Sequence, residues 1–186
     1  MGRIKNKLIV FAATLAMATS AFAASTTSGV ESTNDQPVGK QVRHELVTLP
    51  SYGVFDNLGY KIEGTTVTLY GQVTRPTTRH DAGRRVAKIA GVQQVVNNIQ
   101  VLPLSSFDDS IRARTYRAVF RSSGLYRYAM GANPSIHIIV DRGHVTLEGV
   151  VGNKMDKQLA YIAASGVFGT FSVTNNLRAE DDNEAY

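Results

Sequence analysis

The chain of 186 residues contains no cysteine. This absence excludes disulfide bonds, lipid attachment through a cysteine and a cysteine nucleophile. Catalytic motifs are missing as well, since the sequence has no Gly-x-Ser-x-Gly elbow, no P-loop and no Gly-x-Gly-x-x-Gly loop. We therefore predict that the protein is not an enzyme, with no catalytic residues and no cofactor.

A compact set of metal ligands is also missing. His137, His144 and Glu148 share one face of a predicted hairpin, but they are spread along it without a spacing such as His-Glu-x-x-His. We interpret them as ordinary strand residues and predict no metal site. Asp108 and Asp109 are adjacent carboxylates at a predicted helix start, where they are candidates for the N-cap rather than for acid–base chemistry.

Long hydrophobic runs are absent after the first residues. Leu8 to Ala18 is an apolar run of eleven, which is too short to span a bilayer as a helix. It follows three basic residues and precedes Ala21-Phe22-Ala23, a small-x-small cleavage pattern. We predict a signal peptide over residues 1–23, cleavage after Ala23 and a periplasmic location; the alternative is an uncleaved membrane anchor.

Excess charge of one sign is small once this segment is removed. The chain has 20 Lys and Arg against 15 Asp and Glu, and three of the basic residues lie in the predicted signal peptide. The remaining balance of 17 against 15 gives a net charge near +2. Overall charge therefore does not favour nucleic acid as a partner.

What the sequence does contain is an internal repeat. Residues 64–101 align with residues 142–179 at a constant offset of 78 without a gap, with ten identities. Val67-Thr68-Leu69 repeats as Val145-Thr146-Leu147, and Asn97-Asn98 repeats as Asn175-Asn176. Such self-similarity at one register indicates a duplicated unit.

Each copy is predicted to contain helix, strand, strand, helix and strand. The predicted elements of the first copy are a helix within 35–49, a hairpin over 60–73, a helix over 77–90 and a strand over 95–101. Those of the second copy are a helix from about 108, strands over 136–140 and 145–149, a helix over 154–165 and a strand over 171–177. In the last helix, Leu159, Ile162 and Ala163 are predicted to face the core, and Asn153 to cap it.

The predicted fold class is α+β, with two tandem αββαβ domains whose helices cover one face of each three-stranded sheet. The predicted boundaries are 24–34 for a flexible segment, 35–102 for the first copy, 103–107 for a linker, 108–179 for the second copy and 180–186 for an acidic tail.

These motifs resemble the BON domain of bacterial osmotically induced periplasmic proteins and nodulation-associated proteins. The resemblance rests on a Val-Thr-Leu-x-Gly strand, a helix, a glycine and a Val-x-Asn-Asn strand in each copy, and Gly169-Thr170 departs from the usual Gly-Val pair. It implies a non-catalytic domain that binds phospholipid membranes and supports the envelope under osmotic stress.

Arginine and aromatic residues are candidates for contact with such a membrane. Guanidinium groups suit lipid phosphates, and aromatic rings suit the water–lipid interface. The candidates in the second copy are Arg114, Arg117, Arg121, Arg127, Tyr116 and Phe120; those in the first are Arg84, Arg85 and Lys88. The alternative is that these cations are simply the solvated sides of their helices.

The uncovered sheet faces suggest a second hypothesis, an adaptor that binds an envelope protein. The predicted face of the first copy carries Thr68, Tyr70, Gln72 and Val96, and that of the second carries Ile139, Thr146, Val150 and Thr174. Alternatively, the copies bury these faces against each other.

Overall fold

A computed structural model describes residues 35–122, 124–131 and 133–180. The predicted signal peptide, the flexible segment 24–34 and all of the predicted tail except Glu180 lie outside these residues. None of the described helices is long and apolar enough to cross a membrane.

Both copies have the predicted order αββαβ. The elements of the first copy are α1 (Asp35–Val47), β1 (Asn57–Glu63), β2 (Thr66–Val73), α2 (Pro76–Val86), β3 (Gln94–Asn97) and β4 (Gln100–Val101). Those of the second copy are α3 (Ser106–Arg121), a short 3₁₀ helix (Leu125–Ala129), β5 (Ile136–Asp141), β6 (His144–Val151), α4 (Lys154–Ser165) and β7 (Ser172–Ala179).

The two sheets share one topology. β2 pairs antiparallel with β1 and parallel with β3 and β4, and β6 pairs antiparallel with β5 and parallel with β7. The predicted third strand of the first copy is therefore divided at Asn98 and Ile99, where Ile99 is buried in the core. α2 ends at Val86, four residues before its predicted end.

Each copy buries its own core between helices and sheet. Val42, Leu46, Val67, Leu69 and Val86 belong to the first core. Ile111, Val119, Ile138, Leu147 and Leu177 belong to the second. Apolar residues at alternate strand positions therefore face the helices in both copies, as the period of two predicts.

Helix α3 begins earlier than predicted, and its cap is Ser105. The Ser105 hydroxyl accepts a hydrogen bond from the backbone N–H of Asp108 at 3.1 Å, so the prediction that Asp108 or Asp109 caps this helix is wrong. The buried Asp108 carboxylate instead accepts hydrogen bonds from the N–H groups of Arg142 and Gly143, at 2.9 and 2.8 Å. It therefore fixes the turn of the second hairpin.

That turn joins β5 to β6 through two residues with positive φ. Arg142 has φ 49° and Gly143 has φ 79°, which is the backbone pattern of a type I′ hairpin turn. An arginine is unusual in this conformation. The hydrogen bond from its backbone to Asp108 offsets part of that cost.

A segment of the first copy runs along the outer edge of β5. The carbonyl of Val54 accepts a hydrogen bond from the N–H of Ile138 at 2.7 Å, and Val54 and Phe55 pack against the second core. Further along the same edge, the buried Arg112 side chain donates to the carbonyl of Val140 at 2.6 Å. The two copies are thus joined by backbone pairing as well as by the chain between them.

Two predicted side-chain orientations are wrong. Ile162 of α4 was expected in the core but is 58% exposed, while Ala160 and Ala164 occupy the buried side of the helix. Ile139 was expected on an uncovered sheet face but is 4% exposed. Asn153 caps α4 as predicted, because its side chain accepts from the N–H of Asp156.

Candidate functional site

The outer side of α3 carries three arginines at spacings of three and four residues. Arg117 and Arg121 are exposed, and neither has an ion pair within the described part of the chain. Arg114 is half-buried, and its Nε is buried without a hydrogen-bond partner. The structure therefore leaves two guanidinium groups free for an external anion and holds the third against the protein.

The two aromatic residues predicted to accompany these arginines differ in exposure. The rings of Tyr116 and Phe120 have centroids 4.8 Å apart, and Tyr116 also meets the ring of Phe55 at 6.2 Å. Phe120 is 8% exposed and belongs to the second core, so its predicted contact with lipid is wrong. The ring of Phe120 packs against that of Tyr116 and against the second core, which removes it from the surface.

Arg127 is committed to an internal contact. Its guanidinium pairs with the buried carboxylate of Asp156, and it also lies 4.9 Å from the centre of the Tyr128 ring. The Tyr128 hydroxyl donates to the same carboxylate at 2.5 Å. This cluster ties the 3₁₀ helix to the start of α4, so contact of Arg127 with lipid would compete with an existing ion pair.

The cations predicted in the first copy are largely paired as well. Arg84 binds Asp81 at 2.8 Å, and Arg85 lies 3.4 Å from Glu45 of α1, while Lys88 is exposed. Around Arg85 and Lys88, a groove of about 570 Å³ separates α1 from α2.

Two basic residues of this groove were missed from the sequence. Lys40 and His44 of α1 line it together with Arg85 and Lys88. Helices α1 and α2 are separated by the whole β1–β2 hairpin, so only the packing of the helices brings these cations together. Their spacing of four residues on α1 was the available signal.

The histidines and Glu148 are engaged in separate contacts. His144 Nδ1 lies 2.7 Å from the Ser172 hydroxyl, and Glu148 accepts a hydrogen bond from Asn176 at 2.7 Å. His137 lies between the copies, where its Nδ1 is 3.3 Å from the Gly53 carbonyl. Within the described residues, no group of three or more His, Cys, Asp or Glu side chains is arranged to hold a metal ion.

Burial shifts the pKa values of His137 and Tyr52, whose side chains contact each other. The Tyr52 hydroxyl lies 3.3 Å from His137 Nε2, and the carbonyl at Nδ1 requires a proton on that nitrogen. Tyr52 therefore donates to Nε2 of a neutral imidazole. Burial lowers the pKa of His137, against the opposing effect of Asp56 and Glu148, and burial raises the pKa of Tyr52 to about 12.

The repeated asparagines Asn97 and Asn175 have a structural role. Asn97 donates to the carbonyl of Arg79 at 2.8 Å, and Asn175 donates to the equivalent carbonyl of Lys157 at 2.9 Å. Each side-chain oxygen also accepts from the backbone N–H two residues later. The same side chain therefore joins the last strand to the second helix in both copies.

Comparison with family models explains the duplicated architecture. The BON domain model matches residues 34–103 and again residues 108–181. The chain belongs to the BON domain family. BON domains are associated with phospholipid binding and with envelope stress proteins, and the family is generally non-enzymatic.

Solved structures add only distant similarities to this tandem BON protein. CdsD, a structural protein of the type III secretion system of Chlamydia trachomatis, is 11% identical, with a TM-score of 0.29 over 81% of this chain and 99% of that one. The C-terminal domain of CdsD is 9% identical, with a TM-score of 0.27 over 75% of this chain and 96% of that one. Scores this low do not bear on function. No curated protein matches the chain.

Proposed function

We propose that this tandem BON protein is a non-enzymatic periplasmic binding protein that associates with phospholipid membrane surfaces and supports the envelope under stress. The observation that carries the proposal is the exposed pair Arg117 and Arg121 on α3, which has no carboxylate partner in the described structure. A free guanidinium can form paired hydrogen bonds to a lipid phosphate without first breaking an ion pair. Membership of the family supports the same partner.

The contrast with the other candidate cations favours the second copy for the main contact. Arg84, Arg85 and Arg127 each have a carboxylate partner, so binding lipid there exchanges one ion pair for another. Each free cation near an anionic surface contributes about 1 kcal/mol. Two such residues support only weak, salt-sensitive association, so other surfaces must contribute further binding energy.

Vesicle sedimentation tests this proposal. We expect the chain to co-sediment with vesicles of phosphatidylglycerol and phosphatidylethanolamine at low salt, less at high salt, and little with phosphatidylcholine alone. Exchanging Arg117→Gln and Arg121→Gln together is expected to weaken binding by roughly tenfold to thirtyfold, since about 2 kcal/mol is lost.

A charge-matched control separates a site from a general charge effect. Arg43 and Arg178 are exposed and belong to neither candidate surface, so Arg43→Gln with Arg178→Gln removes the same charge elsewhere. The proposal predicts a smaller loss for this pair. Equal losses in the two pairs would contradict a site on α3, and absence of sedimentation under all conditions would overturn membrane binding. Arg84→Gln with Arg85→Gln measures the contribution of the first copy.

The periplasmic location is tested by fractionation and intact mass. We expect the protein in the periplasmic fraction with a mass that corresponds to cleavage after Ala23, because the first residues match a signal peptide. Retention of residues 1–23 in a membrane fraction would favour an anchor instead. An envelope role predicts that loss of the protein sensitises the bacterium to osmotic shock, with rescue by the native chain and weaker rescue by the α3 double variant.

The adaptor hypothesis receives less support from the structure. On the second sheet, His137 and Ile139 are buried, so part of the predicted open face is covered. On the first sheet, the exposed Tyr70 ring packs over Gly59. Failure of vesicle binding followed by specific capture of an envelope protein, lost on Tyr70→Ala, would reverse this preference.

A further inference from the structure

Three phenylalanines are exposed at one end of the second copy. Phe107 near the start of α3 is 46% exposed, and Phe168 and Phe171 in the connection from α4 to β7 are 86% and 69% exposed. We call Phe107, Phe168 and Phe171 the phenylalanine patch. The ring centroids of Phe107 and Phe171 are 6.0 Å apart, so two elements distant in sequence contribute to one apolar surface. Exposed apolar groups of this size indicate an interaction surface.

The first copy shows that the BON fold does not require this patch. Phe168 and Phe171 correspond to Ala90 and Gln93, at the offset of 78, and all four positions are exposed. The glycine between them is retained as Gly91 and Gly169. The same connection is therefore built without phenylalanine in the first copy, although in the second copy Phe171 also contacts the His144 ring and covers Gly143.

Cationic groups adjoin the patch. A Cβ placed on Gly169 would lie 3.4 Å from Nη2 of Arg114 and 3.6 Å from Cζ of Phe107, so the guanidinium lies beside the rings. The exposed Arg117 follows Arg114 by three residues on the same side of α3. The nearby carboxylate of Asp109 pairs with Arg112, and that of Asp108 is buried in the hairpin turn. Apolar rings and cations thus occupy neighbouring positions.

We propose that the phenylalanine patch inserts into the interfacial region of an anionic phospholipid bilayer, with the arginines of α3 at the headgroup phosphates. This inference rests on the proposed function and adds to it the part of the molecule that enters the membrane. Rings that project from a helix start and a connecting segment, with cations beside them, complement a surface that is anionic outside and apolar beneath. Insertion also supplies affinity that two arginines alone do not provide.

A tryptophan probe tests insertion directly. The chain has no tryptophan, so Phe168→Trp introduces a single indole fluorophore into the patch. With phosphatidylglycerol vesicles we expect its emission to shift to the blue and to be quenched by lipids brominated on the acyl chains. Met130→Trp is the matched control, because Met130 is exposed beyond the opposite end of α3, a helix of 16 residues and about 24 Å. The control emission is expected not to shift.

Substitution by the residues of the first copy tests the energetic role. Phe168→Ala with Phe171→Gln is expected to weaken vesicle binding about tenfold, because apolar area is no longer removed from water on binding. Urea unfolding of the same variant is expected to match the native chain, since these side chains are exposed. Met130→Gln removes one exposed apolar side chain elsewhere and is expected to leave vesicle binding unchanged.

The outcomes distinguish this inference from the proposed function. Vesicle binding that persists without quenching of the Phe168→Trp probe overturns insertion and leaves membrane association in place. Absence of vesicle binding overturns both. A concentration-dependent dimer in analytical ultracentrifugation, abolished by Phe168→Ala with Phe171→Gln and unaffected by vesicles, would assign the patch to a second copy of the chain and overturn insertion.

Discussion

Gly71 and Gly149 occupy equivalent positions in the central strands of the two copies, with φ angles of +116° and +125°. A Cβ at either position would lie about 2 Å from a backbone oxygen of the neighbouring strand segment, that of Asn57 or Ser135. At the surface, by contrast, equivalent positions differ: Arg84 becomes Ile162, and Gln93 becomes Phe171. The duplicated fold thus retains the residues that determine backbone geometry, while the exposed side chains have diverged.

The same contrast extends to how each copy holds its second helix. In the first copy, the buried Thr78 hydroxyl of α2 lies 2.8 Å from that of Ser51. In the second, the equivalent Asp156 of α4 receives the guanidinium of Arg127 and the hydroxyl of Tyr128. The place of attachment is conserved between the copies but its chemistry is not, so equivalence in the fold does not imply equivalence in charge or in binding.

The largest expected effect comes from breaking the shared backbone geometry. Gly71→Ala and Gly149→Ala are each expected to lower the free energy of unfolding by about 3 kcal/mol or more, because the added Cβ meets backbone oxygen and the φ angles disfavour alanine. Urea unfolding followed by circular dichroism measures this. A cost below about 1 kcal/mol at either glycine would show that the strands adjust and that the equivalence is superficial.

A moderate loss of stability is expected from replacing the equivalent asparagines of the two copies, which tests whether the copies also agree inside. Asn97→Ala and Asn175→Ala remove equivalent hydrogen bonds to the carbonyls of Arg79 and Lys157. Each is expected to cost roughly 1 to 2 kcal/mol in urea unfolding, and the two costs are expected to agree. Asn98→Ala is the matched control, because Asn98 is exposed and neighbours the same strand. Unequal losses of stability for Asn97→Ala and Asn175→Ala would mean that the copies differ in their internal hydrogen bonds as well as at their surfaces.

The smallest effect concerns a position where the copies differ most in chemistry, Gly59 in the first and His137 in the second. Burial lowers the pKa of His137, so the unfolded chain binds a proton more readily than the folded one. Stability is therefore full above the ordinary histidine pKa of about 6.5 and falls as the pH drops through that value toward the lowered one.

Unfolding in urea at pH 8 and pH 5.5 checks this dependence. Acidification is expected to destabilise the native chain more than His137→Gln, which lacks the buried imidazole. His144→Gln is the control, because it removes an exposed histidine. An identical loss of stability in the native chain and in His137→Gln would show that other groups account for the acid sensitivity.

Much of the fold was predictable from the sequence because the repeat aligns two independent copies of each pattern. Alternation in Val145-Thr146-Leu147 and the cap at Asn153 led to the correct elements. The cap of α3 was missed because two adjacent aspartates were taken as the cap in place of the neutral Ser105. The turn that Asp108 binds is also distant in sequence.

The surface was less predictable for a physical reason. The helical period of the sequence predicted Ile162 in the core, but the side of α4 that faces the core carries the small side chains of Ala160 and Ala164. Phe120 was predicted to contact lipid at the surface, but its ring is buried in the second core. The carboxylate partner of Arg84 lies three residues earlier in α2, whereas the partners of Arg85 and Arg127 are brought by other elements. Sequence spacing therefore identified the cations without showing which of them remain free.

The pairing of Val54 with Ile138 has a consequence for solubility. β5 is an edge strand of the second sheet, and the outer edge of such a strand is a template for addition of a strand from another molecule. The carbonyl of Val54 and the side chain of Arg112 occupy donors and acceptors on that edge. Val54 of the first copy and Arg112 of the second thereby protect this edge from edge-to-edge aggregation. A second copy separated from residues 52–55 would leave the N–H of Ile138 open to intermolecular β-sheet pairing.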